Sequence, residues 1–281
     1  MPLRRTVLRP LATAAAVLTA GVGLVACGTD SGADDDAIHV GTSPGPYSVL
    51  FQEGIDPILT DAGYTVEYTD FTDLQQADVA VAEGSVDLNV DQHTSYMENF
   101  NNETGSDLAA ITPIPTVPAG LYSERHDGLD AVADGHTVGI PADASNQARA
   151  FLMLADAGWI TLDPDANPGL LTSADIQDNP NNLDIQTMDS ATIPRSLADL
   201  DWGVIPGSIS YSSGVDPQLQ HFQEELRPEL ILQAVVRSED ADSEWAQAVV
   251  DAYNDPAFHD FLAEENENDY WFVPEEITPA D

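Results

Sequence analysis

Apolar and polar positions in this chain alternate between two periods. Runs of period two, or of continuous apolar character, predict strands at Ala37–Gly41, Thr65–Phe71, Val86–Val90, Thr137–Pro141, Leu183–Met188, Trp202–Pro206 and Glu229–Arg237. Another begins at Leu108–Ile114 and runs on, through two prolines, to Gly120–Tyr122. Helical spacing falls between them, at Tyr47–Ala62, Asp73–Glu83, Thr94–Thr104, Ser145–Gly158, Arg195–Leu200, Ser243–Asn254 and Pro256–Glu265. Gly63, Gly84 and Gly105 stand where three of these helices should stop. Ala148, Phe151, Leu152, Ala155 and Trp159 share one face of the Ser145–Gly158 helix. Strands alternating with helices predict an α/β fold, with parallel-rich sheets covered by helices. The rhythm runs twice, which points to two lobes and a hinge. Lobe 1 is expected at 38–123 with 231–281, and lobe 2 at 124–230. Folds of this class bind ligands at the carboxyl ends of strands, here in the cleft between lobes.

The first 26 residues do not follow this rhythm. Arg4, Arg5 and Arg9 form a positive start, and Leu11–Val25 is an apolar run. A run of about 15 residues is short for a membrane span and right for a signal peptide. Leu24-Val25-Ala26-Cys27 resembles the lipobox of bacterial lipoproteins, whose cysteine is diacylated and becomes the first mature residue. Two acyl chains give the stable membrane anchoring that one lacks. The expected layout is therefore a lipoprotein signal peptide at 1–26, then lipidated Cys27 and a flexible acidic tether to 37. The arginine pair fits twin-arginine export and general secretion equally. Cys27 is the single cysteine, so no intrachain disulfide or cysteine metal site is possible.

Charge narrows the partners. The chain has 49 acidic residues, 8 arginines and no lysine. Residues 27–281 hold five arginines against all 49 acids, a formal −44. Such a surface repels phosphate backbones and anionic headgroups, which excludes nucleic acid and leaves Cys27 as the route to the membrane. A salty extracellular medium or a generally acidic proteome would each account for it.

With so few cations, Arg149 stands out. It lies in the first turn of a helix opened by Asp143, Ser145 or Asn146, where a cation opposes the helix dipole. Two roles fit: a guanidinium that receives a ligand carboxylate, or a salt bridge to one of the many acids. His93 and Tyr96 are three apart in DQHTSY and share a face once a helix has begun. His93 either faces a ligand or caps that helix. The other histidines (39, 126, 136, 221 and 259) show no metal spacing, so neither metal nor cofactor is expected. No HExxH occurs and no catalytic residue is expected; a hydrolase assembled from distant residues is the alternative.

Several stretches resemble the NlpA family of lipoproteins, the methionine-binding components of ABC transporters. They are IHVGTSPGPYSVL, FTDLQQADVAVAEGSVDLNVDQHTSYMENFN, GLYS, GIPADASNQARAFLML and DNPNNLDIQTMDSATIPRSLADLDWGVI, in the family's order. The resemblance spans nearly all of 38–281. It implies a type II periplasmic-binding-protein-like fold without enzymatic activity, anchored in the cell membrane and facing outward. The implied partners are methionine or a similar amino acid, an ABC permease and its ATPase. By the same resemblance His93, Tyr96, Asn146 and Arg149 line the ligand cleft; Asn146 also fits a helix cap. Arg195 matches the family too and reads as structural, pairing with an acid such as Asp199. Three positions depart from the family. Pro206-Gly207-Ser208 replaces an Asn-Gly-Asn turn, Asp91 replaces an aromatic, and Leu74 replaces a tyrosine. Ser208 keeps hydrogen-bonding capacity, and Asp91 either meets a ligand ammonium or is solvated. A different small zwitterion or a short peptide is the alternative ligand.

Overall fold

The structure, a computed structural model, describes residues 37–266 and 269–278. The signal peptide, Cys27 and the tether up to residue 36 lie outside the described residues; Ala37 already opens the first strand. The first lobe begins with β1 (Ala37–Thr42) and α1 (Pro46–Leu50), which passes through a π-helical turn (Phe51–Ile55) into α2 (Asp56–Asp61). β2 (Thr65–Asp70), α3 (Leu74–Ala82), β3 (Leu88–His93), α4 (Thr94–Thr104) and β4 (Leu108–Pro113) follow. The second lobe holds β5 (Gly120–Tyr122), β6 (Thr137–Pro141), α5 (Ala144–Asp156), β7 (Thr161–Leu162), β8 (Ile176–Asp178) and β9 (Asp184–Met188). It continues with α6 (Ile193–Ser196), β10 (Trp202–Ile205), α7 (Gly207–Ser213) and β11 (Gln220–Gln223). The chain then returns to the first lobe as β12 (Leu232–Arg237), α8 (Glu244–Tyr253) and α9 (Pro256–Glu265).

Each lobe is built on a five-stranded sheet, ordered β2-β1-β3-β12-β4 and β11-β5-β10-β6-β9. The pairings give four strands one direction in each sheet and oppose one, β12 in the first and β5 in the second. The α/β expectation with parallel-rich sheets therefore holds. Phe51, Ile55, Leu88, Val90, Val236, Tyr253 and Phe258 pack the first core. Phe151, Leu154, Trp159, Val138, Ile140 and Trp202 pack the second. In α5 the buried face includes Met153 and Leu154, while Leu152 and Ala155 are only half-buried, a rotation from the expected stripe.

The connections between lobes differ from the sequence reading. Pro115 and Pro118 lack amide hydrogens and cannot extend a strand ladder, so the run from Leu108 breaks after Pro113. β5 then pairs with β10 and β11, and belongs to the second lobe rather than the first. The crossing is thus 114–119, ahead of the expected boundary at 123/124. The return crossing, 224–231, lies alongside it. Ile114 N–H donates to Leu232 O (2.9 Å) and Leu232 N–H to Thr116 Oγ1 (2.9 Å). At the other end Glu224 N–H donates to Ala119 O (3.1 Å), and Ala119 N–H to Glu224 Oε1 (2.5 Å). The expected strand at Glu229–Arg237 begins only at Leu232, because a 3-10 turn at Pro228–Leu230 precedes it.

The scarce arginines are mostly committed within the fold. Arg125 pairs with Asp201, Arg149 with Glu224, Arg227 with Asp156, and Arg237 with Asp87, Glu239 and Asp240. Arg195 is exposed and makes no ion pair among the described residues, so its expected bridge to Asp199 is not formed. Among the described residues no helix is long and apolar enough to cross a membrane.

Candidate functional site

The carboxyl ends of β3, β6 and β10 meet at one cleft. It is lined by Leu74, Asp91, His93 and Tyr96 from the first lobe, and by Asn146, Arg149 and Ser208 from the second. All seven residues singled out in the sequence are brought together there. The inner chamber is small, about 40 Å³. That exceeds the roughly 10–15 Å³ a single water needs. It opens past Leu74, Asp91, Tyr96 and Ser208 into a vestibule of about 500 Å³ bordered by Ser43, Thr72, Asp143 and Asp189.

Local structure sets each side chain. His93 ends β3 and caps α4: its Nδ1 accepts the Tyr96 N–H at 3.2 Å. The neutral ring therefore carries its proton on Nε2, which points across the cleft at Asn146 Oδ1, 3.5 Å away. Burial, reinforced by the nearby Arg149 charge, pushes His93 down to about 3. Cap and cleft residue are thus one and the same. Asp143, not Asn146, caps α5, and accepts Asn146 N–H (2.9 Å) and Nδ2–H (3.0 Å).

Asp91 is buried and held by short side chains. Its carboxylate accepts Ser43 N–H (2.7 Å), Ser43 Oγ–H (3.0 Å), Ser48 Oγ–H (2.9 Å) and Asn89 Nδ2–H (3.4 Å). Burial nevertheless pushes it up to about 6, against these bonds. It is not the solvated surface acid that one reading allowed.

Arg149 is also buried, and the salt-bridge reading describes its geometry here. Its Nε donates to Glu224 Oε2 at 2.7 Å and its Nη2 to Glu224 Oε1, a two-pronged contact. A third contact runs from Nη1 to Asn146 Oδ1 at 3.4 Å. Burial works against the guanidinium charge and Glu224 more than offsets it, so Arg149 stays protonated. Glu224 belongs to the hinge, so the pair ties α5 to the crossing segment. Nothing in the sequence distinguishes Glu224 from the other acids, and it was not anticipated. Tyr47 was missed as well. Its hydroxyl donates to Val117 O and accepts Val117 N–H, both at 3.3 Å, which fixes it between cleft and hinge. Burial raises its pKa well above the ordinary tyrosine range.

The turn expected at Pro206-Gly207-Ser208 opens the helix α7. Gly207 is required there, because a Cβ would collide with the Val117 carbonyl. Ser208 faces Gly45 of the first lobe, whose Cβ, if present, would lie 3.2 Å from that of Ser208.

A profile of the NlpA lipoprotein family matches residues 38–274. The chain belongs to that family. It is 30% identical over 244 residues to the D-methionine-binding lipoprotein MetQ of Escherichia coli K12, covering 85% of this chain and 89% of that one. A nutrient binding protein from Burkholderia cenocepacia, solved bound to methionine, superposes with TM-score 0.77 at 28% identity, covering 84% of this chain and 99% of that one. An ABC transporter periplasmic substrate-binding protein from Coxiella burnetii gives TM-score 0.77 at 29% identity, with 84% and 100% covered.

The fold also gathers histidines that look scattered in the sequence. His126 and His136 stack at 4.5 Å between ring centroids, and His126 Nε2 lies 2.9 Å from Asp201 Oδ1. With Asp201 they could each offer one atom to a metal ion. Part of each group is engaged: Trp202 Nε1–H donates to His136 Nδ1 (3.2 Å), and Arg125 sits 3.3 Å from Asp201. Burial raises the Asp201 pKa, but bonds from Thr137 and His126 outweigh it and hold the carboxyl at about 2. This network stands at the amino ends of β6 and β10, opposite the cleft, and links His126 and Thr137 through Asp201.

Proposed function

We propose that this protein is a lipid-anchored, extracytoplasmic substrate-binding component of an ABC importer that takes methionine or a closely related zwitterionic amino acid. The observation that carries this reading is the convergence of His93, Tyr96, Asn146 and Arg149 from two lobes on one cleft, in a member of the NlpA family. In this reading the ligand carboxylate engages Arg149 on its Nη1 side, sharing the guanidinium with Glu224. Asp91 meets the ammonium. His93 Nε2–H, Asn146 and Ser208 supply hydrogen bonds, and Leu74 and Tyr96 face the side chain. Arg149 and Glu224 cancel, His93 is neutral, and Asp91 is ionised above about pH 6. The cleft therefore carries one net negative charge at neutral pH, which disfavours an anion and suits a zwitterion.

The ligand enters through the vestibule that adjoins the inner chamber, and the lobes close around it. The ligand leaves unchanged, passed to a permease driven by its ATPase. Cys27 supplies the membrane attachment. The test is mass spectrometry of small molecules released on denaturing the full chain, purified in detergent and high salt. Calorimetry with L- and D-methionine would follow. Methionine released, or a micromolar or tighter dissociation constant, supports the assignment. Another zwitterion keeps the receptor and changes its ligand. No ligand released and no heat with any amino acid refutes it.

A further inference from the structure

A second cavity, of about 300 Å³, lies against the first lobe, with Trp271 and Tyr47 standing between it and the cleft. Its walls are aromatic and acidic. Tyr270 and Trp271, which both line it, meet edge to face, 5.3 Å between centroids at 86°. Phe261 and Tyr211 line it too, and Tyr211 and Tyr270 are 48% and 38% exposed. Glu53 and Glu265 line it as well; among the described residues neither makes an ion pair and no basic side chain lines it.

We propose that this cavity binds an organic ammonium ion. The negative faces of the rings attract a cation, and the two carboxylates add charge complementarity. An alkylated ammonium is weakly hydrated and suits a lining that mixes aromatic rings with carboxylates. A calcium ion takes about six to eight oxygen ligands, of which two carboxylates supply only part. The wall is also built for rigidity. The π-helical turn at Phe51–Ile55 carries Glu53, and π turns occur often at functional sites. Within it, Gly54 lets Phe261 pack so closely that a Cβ would lie 2.8 Å from the ring. Tyr211 comes from α7 of the second lobe and the other walls from the first. The site is complete only with the lobes as they stand, so an occupant favours that arrangement.

The experiment titrates tetramethylammonium chloride into the full chain in detergent at constant total chloride, read by tryptophan fluorescence and calorimetry. Ammonium chloride and the neutral analogue tert-butanol are the controls. Saturable binding of tetramethylammonium alone is expected. Tyr211→Ala and Glu265→Gln, both at exposed positions, should each weaken it at least about three-fold while far-UV circular dichroism is unchanged. No saturable response from the wild type, an equal response to either control, or full affinity in both variants overturns the proposal.

Discussion

Breaking the Arg149–Glu224 pair should cost more than any surface charge change in this protein. The two side chains are 4% and 2% exposed, and Glu224 accepts the Ala119 N–H besides two guanidinium contacts. Glu224→Gln leaves a buried guanidinium without its counter-charge, and Arg149→Met does the same to the carboxylate. Stranding one partner of a buried pair costs about 3–5 kcal/mol. At roughly 2–4 °C per kcal/mol for a body of this size, each single variant should melt roughly 6–20 °C below wild type. The double variant Arg149→Met/Glu224→Leu removes both charges, and should recover most of that loss. The assay is calorimetric melting of all four proteins at one salt concentration. Methionine titration of the double variant adds a second readout: a restored fold without ligand binding would separate the structural role of Arg149 from the proposed ligand role. A Glu224→Gln protein melting within about 2 °C of wild type would refute the reasoning, because a buried pair of this geometry cannot be lost so cheaply.

Other predictions follow from the same geometry. The raised Asp91 value means that its carboxyl is neutral below about pH 6. Methionine affinity should therefore fall about ten-fold between pH 7.5 and pH 5, where roughly a tenth of that carboxyl is ionised. Asp91→Asn should bind weakly with a flat profile; calorimetry across that range decides, and a wild-type profile as flat as the variant's rejects the ammonium role. Gly45→Val places a side chain against Ser208 where the lobes meet. It should weaken ligand binding about ten-fold through overpacking while the melting temperature stays put. Asp78 is buried with Oδ2 unpartnered, opposite an equally unpartnered Gln92 Oε1, and its pKa is raised chiefly by burial. Because the folded value is raised, stability is held in acid and lost as pH rises through that value. Asp78→Asn should abolish this loss and gain about 1–3 kcal/mol at alkaline pH, measured by denaturant unfolding.

The architecture was largely legible from periodicity. Thr94–Thr104, Thr137–Pro141 and Pro256–Glu265 form with the expected bounds, since caps and breakers are local signals. What escaped was non-local or weakly patterned. β11 is four mostly polar residues, Gln220–Gln223, held by pairing with β5. Pro206-Gly207-Ser208 has the composition of a turn, yet the chain continues as a helix. Glu224 is one acid among 49, and it lies 75 residues from the arginine it meets. The cleft residues were reachable because a family resemblance supplied the pairing across lobes that spacing alone cannot give.

The commitment of four of the five arginines in residues 37–278 to partners within the fold has a consequence beyond stability. Little cationic charge is left to greet a neighbour, so two copies present acid to acid. For receptors tethered to one bilayer, this makes ionic strength a control on crowding. At 0.15 M salt the repulsion reaches about 8 Å from each surface, and at 1 M about 3 Å. Brine would let the molecules stand closer together, and dilution would space them apart.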